Sequence, residues 1–349
     1  MTRTKRIVAN LGVALLGIVT ALVIVEVAFR LVAGRKARPW DDRPSLYFMP
    51  AGARSLGDGP YPFEKPAEVF RVAVIGDSFT FGPNMQFEDT FPKRMERWLN
   101  LEHKGKAEVI NFGVSGLSTY NEAAVLSMAF DYSPDLVLLE ITLNDAELNP
   151  LTREERDKLF GAPFLKYKLF TYWKSAAYLL SRLHNTQTRR LYINYFENLF
   201  DDPSMYGRFM KSLRKVGAAC RSRNVKVAAI IFPLFDFPFD KNYPFQRVHK
   251  RIHDALKQAE IPFIDLRRIY DGIPPERLQV IPGFDSHPNE IAHRMAAESV
   301  IKWLATEALL PEKVLPMHVY RSREASKAPH LVKGIRAADK RLRRAMMEH

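Results

Sequence analysis

The sequence predicts an α/β fold: a mostly parallel sheet covered by helices on both faces, preceded by one N-terminal transmembrane helix. Three observations carry this. Strand-like and helix-like patterns alternate from residue 69 onward, the mark of parallel strand–helix–strand units. Three of the strand-like runs stop at Gly76, Gly113 and Asn144, residues suited to turns. An apolar run from Ile7 to Val25 follows Arg3, Lys5 and Arg6. At ~1.5 Å per residue it is roughly 28 Å long, close to the ~30 Å hydrocarbon core of a bilayer.

Residues 1–34 therefore read as a membrane anchor. Asn10 and Thr20 are the clearly polar members of the run, and Glu26 and Arg30 close it. A charge at the bilayer centre costs about 2.5–3.5 kcal/mol on insertion scales, so Glu26 and Arg30 are expected at the headgroups. The run is long for a cleaved signal peptide, and Val32-Ala33-Gly34 is a poor cleavage site. Basic residues flank both ends, with Arg30, Arg35, Lys36 and Arg38 on the far side. Charge alone thus leaves the orientation open.

Residues 35–68 read as a linker rich in Pro and Gly, with Pro39, Pro44, Pro50, Pro60, Pro62 and Pro66. The α/β domain spans 69–310. Strands are expected at Phe70–Ile75, Val109–Phe112, Leu136–Leu143, Val225–Phe232 and Ile261–Leu266. Helices are expected at Thr90–Leu101, Asn121–Phe130, 204–222, 245–259 and Asn289–Leu304. A helical, aromatic insertion at about 150–203 breaks the alternation. Its Phe160, Phe164, Tyr167, Phe170, Tyr172, Trp173 and Tyr178 are expected to be core. Residues 311–349 form a basic tail. There Leu331, Ile335, Ala338, Leu342 and Met346 recur at helical spacing among Arg336, Lys340, Arg341, Arg343 and Arg344. Such a tail is either solvated or disordered, or able to lie on anionic lipid or an acidic polymer.

The chain has 349 residues, 47% of them hydrophobic and 11% aromatic, enough for a sizeable core. The net charge of +13 would suit an anionic neighbour. In the domain, however, basic residues are dispersed among acidic ones, and no zinc-finger spacing or RNA-binding aromatic signature occurs. No nucleic-acid partner is expected. The single cysteine, Cys220, excludes an internal disulfide and reads as a packing residue.

In parallel α/β sheets, ligands sit at the carboxyl ends of the strands. There lie Gly76-Asp77-Ser78, then Asn111-Phe112-Gly113-Val114-Ser115-Gly116, then Leu143-Asn144-Asp145, and far downstream Phe284-Asp285-Ser286-His287. Gly76 permits a sharp turn that projects Ser78 into the crevice. Together these blocks supply the groups an acyl-transfer site needs. Ser115 lies in a near miss to Gly-x-Ser-x-Gly, with Leu117 where the elbow motif needs glycine. His293 reads as a surface or packing residue. Asp77, Asn111 and Asp145 read as structural hydrogen-bonders. Asp285, His287 and His293 match no strong metal-ligand spacing, so neither metal nor cofactor is expected.

In these blocks, and over residues 70–306, the sequence resembles the SGNH (GDSL-type) hydrolases, named for Ser, Gly, Asn and His. The resemblance implies a flavodoxin-like three-layer domain and metal-free ester hydrolysis or acyl transfer. It implies that Ser78 is the nucleophile and His287 the base, with Asp285 orienting the histidine. It places the oxyanion between the backbone N–H groups of Ser78 and Gly113 and the Asn144 amide. The usual last block has Asp three residues before His, where this chain has Phe284; Ala292 stands where a glycine often follows. The shorter Asp-x-His arrangement resembles that of alginate O-acetylation proteins and implies polysaccharide acyl chemistry. Expected functions are thus a serine esterase acting on O-acyl groups of a carbohydrate or envelope polymer, an O-acyltransferase, or a silent binding module with the same fold. The expected partners are the acylated substrate and the membrane, with the domain on the extracytoplasmic side.

Overall fold

The computed structural model describes residues 3–33, 58–59, 61–102, 106–148, 172–282 and 285–317, with positions 154–155, 159 and 319 besides. Most of the linker, the first part of the insertion and most of the basic tail lie outside the described residues. The chain falls into two compact units, one of residues 1–44 with 151–198, the other of 45–150 with 199–349.

In the first unit, α1 (Arg3–Ala33) is one continuous helix. Its segment Lys5–Leu31, of mean hydropathy 2.5, is long and apolar enough to span a membrane and is unburied within the protein. Near its end, Glu26 bonds the Arg30 guanidinium at 2.7 Å and accepts the backbone N–H groups of Lys174 (2.9 Å) and Ser175 (2.7 Å). A carboxylate from one helix thereby satisfies orphan donors at the start of another. The insertion is thus tied to the anchor's last turns. Tyr172 and Tyr178 are 74% and 52% exposed, not core as their spacing suggested, because this part of the insertion packs on α1 and leaves one side open.

The second unit is built on five parallel strands: β1 (Phe70–Gly76), β2 (Ala107–Gly113), β3 (Leu136–Ile141), β4 (Lys226–Ile231) and β5 (Phe263–Asp265). Their spatial order is β2-β1-β3-β4-β5. That is the flavodoxin-like order, whose ligand crevice opens where the order reverses, between β1 and β3. Register is continuous from Phe70↔Ala107 to Gly76↔Gly113, so both strand ends open into the same crevice. β1 is buried along its whole length. The helices of this unit are the short α2 (Ser78–Phe81), α3 (Phe91–Leu99), α4 (Thr119–Phe130), α6 (Pro203–Ser222), α7 (Gln246–Gln258) and α8 (Glu290–Thr306), while α5 (Lys174–Asp201) belongs for most of its length to the first unit.

The domain recruits residues from beyond the expected boundaries. Asp58 is buried and accepts the Asn111 N–H at 2.6 Å, Tyr61 donates to Glu96, and Phe63 packs its ring on Tyr132. Val314, Leu315 and Val319, on the tail side, are buried. Arg71, fully buried in β1, pairs with Glu108 and donates to the carbonyls of Phe63 and Tyr132. Cys220 is buried in α6, as a packing residue should be, and burial raises its thiol to about 11.

A small antiparallel pair, β6 (Gln279–Ile281) and β7 (Asp285–Pro288), has no counterpart among the expected strands. Asn289 fixes its exit: the side chain caps α8 through Ile291 and Ala292 and donates to the carbonyls of Arg277 and Gln279.

His293 packs beneath this region rather than on the surface. Its Nδ1 accepts the Phe91 N–H at 2.9 Å, capping α3 in place of Thr90, whose hydroxyl donates to the Phe87 carbonyl instead. Burial, reinforced by the charges of Arg94 and His287, lowers it to about 3. The folded pKa lies below the unfolded value of about 6.5, so this stabilisation is complete above pH 6.5 and is lost as pH falls toward 3. Urea unfolding at pH 7 and pH 5 should show about 2 kcal/mol of acid loss in the parent that is missing from His293→Gln. Equal losses in both proteins would refute this.

Candidate active site

β1 delivers the first group. After Gly76 the chain turns sharply, and Asp77 caps α2 by accepting the Phe79 N–H on Oδ1 at 2.8 Å. Ser78 is the first residue of that helix. Its own N–H has no hydrogen-bond partner among the described residues, as expected for the first turn of a helix.

Gly76 serves space rather than a left-handed turn, since its φ is not positive. A Cβ there would lie 2.3 Å from Thr80 Oγ1, 2.5 Å from Glu140 Oε2 and 2.8 Å from Glu140 Cβ. Both neighbours are fully buried and bonded to each other at 3.0 Å. Gly76→Ala should cost about 1–3 kcal/mol by overpacking. By displacing Ser78 about an ångström it should also lower kcat roughly a hundredfold. Thermal unfolding and ester turnover test this together; unchanged turnover would mean that the turn tolerates the methyl group.

β7 brings the second group. His287 Nε2 lies 3.0 Å from Ser78 Oγ, and His287 Nδ1 lies 2.6 Å from Asp285 Oδ1. The same carboxylate oxygen accepts the His287 backbone N–H at 3.1 Å, so the two-residue spacing folds the acid back onto its own histidine. Asn84 Nδ2 donates to the other oxygen at 2.8 Å. Burial acts to raise Asp285, but the bonds and charge of His287, with the Asn84 amide, outweigh it and hold the carboxyl at about 2. The imidazole edge is 32% exposed and flanked by the Phe79 ring at 5.6 Å. Asn84 escapes a sequence reading because Gly82-Pro83-Asn84 resembles any turn. Its φ of +57° is the structural clue, since Asn tolerates the left-handed region.

The β3 loop supplies Asn144. Its Nδ2 donates to Asp77 Oδ2 at 2.8 Å, and its Oδ1 accepts from the Thr142 hydroxyl. An amide nitrogen carries two hydrogens, so one remains for a ligand. Thr142 Oγ1 also lies 3.1 Å from Asp77 Oδ2, so its single hydrogen is shared between the Asn144 amide oxygen and the Asp77 carboxylate at the serine turn.

Gly113 departs from the expectation. Its N–H donates to Asn111 Oδ1 at 2.9 Å and is engaged within the protein. A Cβ there would meet Phe81 N at 2.5 Å and Thr80 C at 2.7 Å, so this glycine lets β2 pack against α2. Three residues on, Gly116 has φ +82°, open space around its Cβ position and an N–H without a partner among the described residues. It lies in the loop leaving β2, beside the end of β1. Ser115 is exposed in that loop.

Under the crevice lies a group of buried acids. Asp145 accepts from Thr119 Oγ1 and the Thr142 N–H, and Glu140 accepts from the Asp77 N–H and Thr80. Burial first, then neighbouring carboxylates, pushes Glu140, Glu122 and Asp145 well above the usual range. Asp77, Asn111 and Asp145 are thus the hydrogen-bonding supports the sequence suggested. His293, held by Phe91, does not join Asp285 and His287 in a ligand set.

Residues 74–295, well over half the chain, match the family described as GDSL-like Lipase/Acylhydrolase. An arylesterase from Vibrio mimicus is 40% identical over 76 residues, 22% of this chain and 38% of that protein. This chain thus aligns with little more than a third of that relative's length. Among solved structures, a G-D-S-L family protein from Desulfitobacterium hafniense aligns with 66% of this chain and 97% of its own, at 13% identity and TM-score 0.39. A psychrotrophic esterase from a Pseudoalteromonas species aligns with 67% and 98%, at 17% identity and TM-score 0.39.

Proposed function

Starting from the fact that the chain belongs to the GDSL-like lipase/acylhydrolase family, we propose that it is a serine esterase working through an acyl-enzyme on Ser78. The observation that carries this reading is the continuous relay from Ser78 Oγ to His287 to Asp285, at 3.0 and 2.6 Å. A serine hydroxyl is a weak nucleophile until a base takes its proton. His287 Nε2 is within reach to do so. Asp285, held anionic, fixes the tautomer and stabilises the imidazolium that forms.

Ser78 Oγ attacks the ester carbonyl as its proton passes to His287. The carbonyl oxygen becomes an oxyanion facing the unpaired Ser78 N–H, the second Asn144 amide hydrogen and the Gly116 N–H. We assign Gly116 the part that the resemblance gave to Gly113. Collapse returns the proton to the leaving alcohol and leaves the acyl group on Ser78. Water, or a second hydroxyl, then enters by the reverse path with His287 again as base. Asn144→Ala should lower kcat about a hundred- to a thousandfold with little change in KM. A loss confined to KM would remove Asn144 from the oxyanion site.

The resemblance of the Asp-x-His arrangement to that of alginate O-acetylation proteins supports O-acyl groups on a carbohydrate or envelope polymer as substrate, and the net charge of +13 suits an acidic polymer. The long apolar α1 supports a single-pass membrane protein; an envelope polymer as substrate would put the domain on the extracytoplasmic side. A hydroxyl acceptor in place of water would make the same machinery a transferase. The test is to incubate purified protein with an acetylated polysaccharide, with and without an unacetylated acceptor. Free acetate in both arms supports hydrolysis, and acetyl on the acceptor supports transfer. Neither product, together with no reaction at Ser78 by a fluorophosphonate, would leave a binding module. Protease accessibility in intact cells tests the orientation.

A further inference from the structure

On the edge strand, away from the serine turn, two imidazoles and a carboxylate converge on one point. His249 and His253 stand four residues apart on α7, hence on one helix face, and Asp265 ends β5. His249 Nδ1 and His253 Nε2 each lie 2.8 Å from Asp265 Oδ2, and the three ligand atoms all fall within 4.8 Å of one another. We propose that His249, His253 and Asp265 form a binding site for one transition-metal dication of the zinc class.

The donor set selects the ion. Two imidazole nitrogens and one carboxylate oxygen suit Zn²⁺ and its first-row neighbours, whereas Ca²⁺ and Mg²⁺ prefer all-oxygen shells. Zinc bonds of about 2.0–2.2 Å place tetrahedral ligands roughly 3.4 Å apart. An ion entering the cluster would lengthen the present 2.8 Å spacings by about 0.6 Å.

The three groups are held in place before any ion arrives. Asp265 Oδ1 accepts the Arg267 N–H at 2.9 Å, which fixes the carboxylate plane. The His253 ring stacks on Phe263 at 4.8 Å, and the His249 ring meets Tyr243 edge to face at 5.6 Å. Such outer contacts orient metal ligands. His249 is buried while His253 is 30% exposed. The ion therefore has a path in, and a fourth position is left for water. A bound ion would staple α7 to the three-residue edge strand. It shares no residue with the Ser78 relay, so its role is structural and separate from the ester chemistry.

The test uses the untagged full-length chain in detergent, stripped by chelator and titrated with Zn²⁺ against a chromophoric chelator. One equivalent should bind. His253→Gln, which keeps a donor for Asp265 but ligates poorly, and Asp265→Asn should each weaken binding about tenfold or more. His287→Ala should leave it unchanged, and Co²⁺ should give visible bands in the parent that both ligand-site variants lose. Circular dichroism checks that the variants are folded. If the parent binds no Zn²⁺, the cluster is only a carboxylate accepting two imidazole N–H bonds. Affinity unchanged in both ligand-site variants, or lost with His287, would place the ion elsewhere and overturn the assignment.

Discussion

Ser78→Ala is expected to lower kcat for a short-chain aryl ester by about ten thousand- to a millionfold, with KM nearly unchanged. The hydroxyl is the atom that forms the bond, so removing it eliminates the covalent path rather than slowing it. The residual rate over water comes from the free Ser78 N–H and the Asn144 amide, which a methyl side chain leaves in place. Stability should hardly move, because among the described residues Ser78 Oγ bonds only His287. Steady-state kinetics and thermal unfolding of the same preparation check both halves. A loss below tenfold would show that another group is the nucleophile.

The second large effect belongs to the base. His287→Ala is expected to cost nearly as much as Ser78→Ala, and the double variant little more than either alone, because the two act as one unit. Asp285→Asn should cost about a thousand- to ten-thousandfold. An amide can present a donor where Nδ1–H needs an acceptor, and it lacks the charge that stabilises the imidazolium. Asn84→Ala leaves the carboxylate in place and removes one bond, so a loss of about tenfold is expected, in line with a bond to a charged group. Additive losses in the Ser78/His287 double variant would mean that the two residues do not share a step.

Much of this was legible in the chain because parallel strands are buried on both faces and read as apolar runs. β3, Leu136–Ile141, is the clearest, even though it hides Glu140 at a fully buried position. The strand ends follow from the strands, and so do Ser78 and Asn144. The β6–β7 pair was not legible. Its strands are three and four residues long, polar at Asp285 and His287, and held by a partner strand and the Asn289 clamp rather than by any periodic pattern. The glycines were legible as glycines but not by task. Gly76 and Gly113 answer to neighbours distant in sequence, Glu140 and Phe81, whereas Gly116 carries the positive φ. Glu26 reads as a headgroup residue; that it caps a helix 148 residues downstream is a tertiary contact no local pattern encodes.

The most direct measurement is of the covalent intermediate itself. The purified protein is mixed rapidly with an aryl acetate, quenched in acid, digested and analysed by mass spectrometry. An acetyl group on the peptide containing Ser78, accumulating in a burst and absent from Ser78→Ala, is the predicted result. Turnover of the ester with no acyl group on Ser78, or the same adduct at another residue such as Ser115, would contradict it.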